Sequence, residues 1–267
     1  PIADVRGFHA AAIRPSDATL VAVGDTDHAE IARIAGAEFA DWNGAAPDRP
    51  PDEGAWPPHA ALTVVPRPGA PQSELRIGHV AAARDTPDYH ALVVGNTILG
   101  GQFVSRINLN LREDKGFTYG ARTSFEFRRR PGPFVVQAGV QTAVTARAIE
   151  ESIGELRAIR GARPVTPAEL SLAVAALTRG YARNFETAEQ IARGAMQLAL
   201  YDLPDDYFAQ FVPNIERVTC DDVSRAMTAH LDPSRLTTLV VGDLDAIQTD
   251  LNRLGIGAPA VLQPDSF

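Results

Sequence analysis

Ten residues of this chain recur at one fixed spacing along it. Shifting the sequence by 218 positions without a gap sets Asp4, Val5 and Ala11 on Asp222, Val223 and Ala229, and Pro15 and Ser16 on Pro233 and Ser234. The same shift sets Thr19, Val23, Gly24, Asp25 and Asp27 on Thr237, Val241, Gly242, Asp243 and Asp245. Unrelated helix-strand-helix units share a polar and apolar pattern, but not this many identities at one offset. The two ends of the chain therefore read as equivalent parts of two copies of one domain. Residues 1–42 become the closing helix, strand and helix of a first copy whose beginning lies outside this sequence, and 60–257 become a complete second copy. Between them, 43–59 holds Gly44, Pro47, Pro50, Pro51, Gly54, Pro57 and Pro58. That density excludes a continuous helix or a central strand and predicts an extended linker. Residues 258–267 are left as a tail.

Within this frame, apolar spacing predicts helices over 4–12, 27–41, 89–99, 143–160, 187–200, 204–215, 220–230 and 245–254, with another opening at 166. Thr166, Pro167 and Glu169 supply a hydroxyl cap, a proline in the first turn and a carboxylate three residues after the cap. Strands are expected over 19–23, 62–65, 74–82, 134–140 and 236–241. Helices and strands come in groups and do not strictly alternate, which predicts an α+β fold with a mixed or antiparallel sheet and helices mainly on one face.

The stretch 105–120 carries the most chemistry. Phe103, Val104, Ile107 and Leu111 recur at spacings of three and four, which predicts a helix ending near Arg112. Asp114-Lys115-Gly116 reads as the turn after it. From Tyr119 onward, Ala121, Thr123, Phe125 and Phe127 alternate with polar residues, as in a half-buried strand. A guanidinium at the helix end and a phenol at the strand start then face one space. Both can donate hydrogen bonds to a carbonyl oxygen, and neither is a nucleophile at neutral pH. The spacing alone is also met by a helix-capping arginine and a buried tyrosine.

Leu111-Arg112, Tyr119 seven residues after the arginine, the alternating strand and Gly132-Pro133-Phe134 together resemble the M16 metallopeptidases. That family includes pitrilysin, insulin-degrading enzyme and the mitochondrial processing peptidase. The resemblance implies two M16-like α+β domains in tandem and makes Arg112 and Tyr119 substrate-binding residues of the later, non-zinc domain, where they grip a peptide backbone. It also implies a peptide or unfolded-protein substrate. An M16 catalytic domain carries His-x-x-Glu-His, in which two imidazoles one turn apart hold zinc and the glutamate serves as base. The six histidines here are His9, His28, His59, His79, His90 and His230, and none begins that pattern. No two lie three to five residues apart, although a site built from distant residues stays open at this level. No catalytic residue and no cofactor is therefore expected in this chain, which would be inactive alone. Zinc is expected in the missing N-terminal domain or in a partner M16 subunit. The alternative is a structural or assembly protein that keeps the fold, since the core subunits of the respiratory bc1 complex also resemble M16 proteins.

Other chemistries find little support. Cys220 is the one cysteine, so a disulfide framework and a cysteine-based zinc site are excluded, and no second catalytic group stands beside it. A net charge of −8 argues against a nucleic-acid surface, and Arg128-Arg129-Arg130 reads as a solvated hairpin tip. Gly95 to Gln102 has the glycine spacing of a phosphate loop, but Gly101 and Gln102 stand where lysine and a hydroxyl are required. No Gly-x-Ser-x-Gly elbow occurs. No apolar run approaches the roughly 18 residues that span a bilayer. The expectation is a soluble protein, cytoplasmic or periplasmic, with the compartment unassigned.

Overall fold

A computed structural model describes residues 1–43 and 61–263. Most of the linker expected over 43–59, and the end of the 258–267 tail, lie outside the described residues. The chain divides into two units, Pro58–Tyr181 with Asp206–Phe267, and Pro1–Pro57 with Ala182–Asp205.

The larger unit is built on a six-stranded mixed sheet. Its strands are β1 (Leu62–Pro66), β2 (Gln72–Val80), β3 (Thr118–Phe125), β4 (Pro133–Gln141), β5 (Thr237–Gly242) and β6 (Ala260–Val261). They lie in the order β3-β4-β2-β5-β1-β6. β3 through β5 pair antiparallel, whereas β5 with β1 and β1 with β6 are parallel. Burial alternates along β2, β4 and β5, so Leu75, Ile77, Phe134, Val136, Val140 and Val240 line one face of the sheet. Glu74, Arg76 and Arg122, the alternate residues, are exposed on the other.

Helices cover the apolar face. They are α3 (Tyr89–Asn96), α4 (Arg106–Asn108), α5 (Thr145–Ile159), α6 (Pro167–Thr178), α8 (Tyr207–Glu216), α9 (Cys220–His230) and α10 (Leu244–Leu251). In α5, Ile149, Ile153, Leu156 and Ile159 are buried, at the helical spacing read from the sequence. α3 and α9 cross at Gly95, where a β-carbon would stand 2.7 Å from Met227 Sδ. α6 carries the expected capping box on Thr166 and Glu169. The fold is thus α+β with a mixed sheet and helices on one face.

The smaller unit holds α1 (Ile2–Ala12), α2 (His28–Glu38) and α7 (Ala188–Tyr201). In sequence, α1 and α9 are offset by one repeat and have the same length, and so do the single 3₁₀ turns Pro15–Asp17 and Pro233–Arg235. The repeat then slips. Asp27 caps α2 by accepting from Glu30 N–H, whereas α10 is capped by Asp243, the counterpart of Asp25. The strand expected over 19–23 is not formed, and no described residue pairs with this run. A strand is defined by the hydrogen bonds of its neighbours, so its sequence alone cannot make one. No residue of α1 or α2 is buried, and Ile2, Val5, Phe8, Ile13 and Leu20 are all exposed. Among the described residues no helix is long and apolar enough to cross a membrane.

Candidate functional site: an arginine and a tyrosine at the edge of the sheet

The segment that carries Arg112 is shorter and wider than the α-helix expected. It begins at Arg106, runs as α4 for one turn and continues as the π-helical stretch Leu109–Asp114. Ile107 and Leu111 are fully buried and anchor it. Phe103 and Val104, assigned to the same apolar stripe from spacing, lie before the helix and are exposed. Phe103 has another use, because the Arg112 guanidinium stacks over its ring at 4.3 Å. The Arg112 side chain is partly exposed and lies 3.5 Å from the Glu113 carboxylate. Beyond it, the Phe117 N–H donates to Leu111 O at 2.8 Å, and Gly116 takes φ of 63°, which closes the turn as its sequence predicts.

Tyr119 departs from the simple strand reading. Strict alternation places it on the same face as Ala121 and Thr123, which are buried. Instead its register with β4 breaks between Thr118 and Ala121, and Tyr119 is 89% exposed. One extra residue in one strand turns everything before it to the other face. The Thr118 hydroxyl holds this bulge by accepting from Gly120 N–H at 3.0 Å and donating to Gly139 O at 2.6 Å. The bulge thus carries the phenol away from the core, where the buried-tyrosine alternative would have placed it.

Arg112 and Tyr119 line one recess of about 380 Å³, together with Gln72, Glu113, Gly116, Phe117, Thr118 and Gln141. The recess lies where β2 begins, β3 begins and β4 ends. A larger cleft, about 680 Å³, lies in the smaller unit between the unpaired run 20–24 and α2, and its walls are mainly apolar. It has neither the guanidinium nor the phenol.

β3 is an edge strand, yet its free edge is covered. Ala121 N–H points away from β4 and donates to Asn108 Oδ1 at 3.0 Å. At Thr123 the π-helical turn Thr97–Gly101 packs so closely that a β-carbon on Gly100 would stand 2.6 Å from Thr123 N. The Thr123 hydroxyl donates to Asn96 Oδ1 at 2.8 Å. Gly100, one of the glycines spaced like a phosphate loop, therefore lets this turn close over the edge of β3 at Thr123, where another strand would otherwise pair.

The described histidines do not fit a zinc site. His79 is nearly buried, with Nδ1–H donating to Val80 O at 2.8 Å and Nε2 accepting from Asp232 N–H at 3.1 Å, so both ring nitrogens are occupied. Burial pushes its pKa down. His230 Nε2 bonds Asp88 Oδ2 at 2.9 Å. His90 is held among Tyr89, Tyr207 and Phe211, and burial lowers its pKa as well. Among the described residues no three His, Cys, Asp or Glu side chains gather as a metal ion requires. Cys220 opens α9, partly exposed and free. Arg128, in the β3–β4 connection, pairs with Glu126 at 2.9 Å.

Residues 2–177 match the sequence profile of a family described as Peptidase M16 inactive domain, and both Arg112 and Tyr119 lie in the matched span. The crystal structure of a peptidase M16 inactive domain from Pseudomonas fluorescens is 25% identical, with a TM-score of 0.80 over 91% of this chain and 58% of that one. A protease from Helicobacter pylori superposes with a TM-score of 0.77 at 18% identity, covering 90% of this chain and 59% of that one. A chain of complex III2 from Candida albicans superposes with a TM-score of 0.66 at 13% identity, covering 86% and 57%. The last two show likeness of fold alone. This chain spans under three fifths of the length of each of these relatives. Comparison with curated protein sequences finds no match.

Proposed function

This chain belongs to the family of M16 peptidase inactive domains, and from that premise we propose that it holds the backbone of an extended peptide while another M16 domain supplies zinc and base. The observation that carries the reading is the placement of Tyr119. A bulge delivers its phenol almost wholly into solvent, beside the recess that Arg112 also lines. Folding makes no use of that hydroxyl, whereas a peptide carbonyl entering the recess would accept from it. Arg112 presents several N–H donors in a rigid plane, and stacking on Phe103 fixes the orientation of that plane. Neither residue does covalent chemistry. Their contribution is orientation of the scissile bond, which lowers a barrier without supplying a nucleophile. The substrate class is a peptide or an unfolded protein, because only an extended backbone offers free carbonyls in series.

The repeat supports a division of labour along the chain. Residues 1–42 would close a first M16-like domain, and the second M16-like domain, 60–257, would be the non-catalytic half. In and just after α9, Val223, Met227 and Leu231 are fully buried, whereas their counterparts in and after α1, Val5, His9 and Ile13, are exposed. A further M16-like segment, preceding in the same polypeptide or in a partner subunit, would cover them and carry the zinc motif.

The test restores the zinc-bearing M16 domain, as the preceding part of the polypeptide or as a separate subunit, and follows cleavage of an unstructured peptide. Arg112→Ala and Tyr119→Phe should each lower turnover by about tenfold to a hundredfold, the value of one or two hydrogen bonds to a polarised carbonyl. Their melting temperatures should stay at that of the wild type. The rival reading is an assembly role, supported by the likeness of fold to the complex III2 chain. Unchanged turnover in both variants would favour that rival.

A further inference from the structure

Asn108 is 4% exposed, and both ends of its side chain are engaged. Its Nδ2 donates to Phe103 O at 2.7 Å, and its Oδ1 accepts from Ala121 N–H at 3.0 Å. A carboxamide donates through its nitrogen and accepts through its oxygen, so its two separate atoms can join two backbone groups that stand apart. Each partner stands one step from one member of the Arg112 and Tyr119 pair. Phe103 provides the ring on which the Arg112 guanidinium lies. Ala121 is where β3 resumes its pairing with β4 after the bulge that ejects Tyr119. Thr118 fastens the bulge to β4, but on the other side Asn108 ties it to the arginine's platform.

We propose that Asn108 is a positioning residue that sets the spacing and orientation of Arg112 relative to Tyr119; this rests on the reading of that pair as a peptide clamp. It touches no substrate and acts through the two residues that do. Asn108→Leu fills the same space and releases both ties. Asn108→Asp keeps the bond from Ala121 N–H and loses the donation to Phe103 O.

The test measures kcat/KM on an internally quenched unstructured peptide, with the chain assembled with its zinc-bearing M16 domain. Each Asn108 variant is made in the wild type and in an Arg112→Ala, Tyr119→Phe background. In the wild type, Asn108→Leu should lower kcat/KM about tenfold or more, as misplacement of a positioned group does. In the double-variant background it should lower kcat/KM less than about twofold, because coupled residues are non-additive. Equal proportional losses in both backgrounds would overturn the inference and leave Asn108 a structural residue. Should Asn108→Leu fail to fold, the same comparison with Asn108→Asp decides, with a smaller loss that again vanishes in the double-variant background. A double-variant background that cleaves at the wild-type rate would bring down the clamp reading itself. Additive losses would bring down only the role of Asn108.

Discussion

Gly100 and Tyr119 show how much a single position can depend on contacts remote in sequence. A methyl group on Gly100 would stand 2.5 Å from Thr123 Oγ1 and 2.6 Å from Thr123 N, and the second of these is backbone in an edge strand that cannot simply rotate away. Gly100→Ala should therefore cost about 1 to 3 kcal/mol, the usual penalty for forcing a methyl into a filled space. The measurement is urea unfolding, with a lower midpoint and an unchanged slope. Tyr119→Phe is the opposite case. It removes an oxygen that lies in solvent, so its stability should change by no more than about 0.5 kcal/mol. Loss of turnover in that variant then reports on the bound peptide and not on the fold. The sequence identifies both Tyr119 and its neighbour Gly120, a residue that often marks a bulge. It does not reveal the face to which Tyr119 turns, because one inserted residue inverts a two-residue period.

Among the elements, α6 joins a local signal to a distant one. Its Thr166 and Glu169 box was legible as four consecutive residues, but Glu169 also receives the Arg106 guanidinium through Nε at 2.6 Å and Nη2 at 2.8 Å. Arg106 is nearly buried and donates as well to Arg163 O and Pro164 O, which fastens α4 to the loop before α6. Burial pushes the Glu169 pKa up, yet the bonds from Arg106 and Thr166 outweigh it and hold the pKa at about 2, below the ordinary 4.5. A carboxylate depressed in this way contributes stability that is fully present above pH 4.5 and is lost as pH falls toward 2. The Glu169 side chain is 30% exposed, so solvent screening reduces the effect to about 1 to 2 kcal/mol. Glu169→Gln should remove that contribution at neutral pH and flatten the acid limb of the stability profile. Urea unfolding repeated between neutral and acidic pH measures it, and a variant with the wild-type acid limb would contradict the assignment.

For the whole molecule, the repeat makes an internal comparison possible. Ile13 and Leu231 occupy equivalent positions just after α1 and α9, yet Ile13 is 46% exposed and Leu231 is 0% exposed. Leu231→Ala should cost about 2 to 5 kcal/mol, the range for emptying a packed core position. Ile13→Ala should change the stability of this chain by less than about 1 kcal/mol. With the covering M16-like segment restored, Ile13→Ala should become as costly as its counterpart. Thermal melts of both variants, in this chain and in the longer assembly, distinguish the two situations. A cost for Ile13→Ala that does not rise in the assembly would argue against residues 1–42 being the end of a first domain.

The sequence by itself determined the α+β class, most helices and strands of the larger unit, the cap of α6 and the family to which the motif around Arg112 and Tyr119 points. These are carried by interactions among residues a few positions apart, and periodicity records such interactions directly. Only the tertiary structure decided that 19–23 has no strand partner among the described residues, that the helix before Arg112 begins after Phe103 and widens into a π-helix, and that Tyr119 faces solvent. It also decided that Asn108 joins α4 to β3 and that Arg106 reaches Glu169. Each of these depends on which backbone groups and side chains meet across the fold, and a hydrogen-bonding group carries no mark in the sequence of the partner it will find.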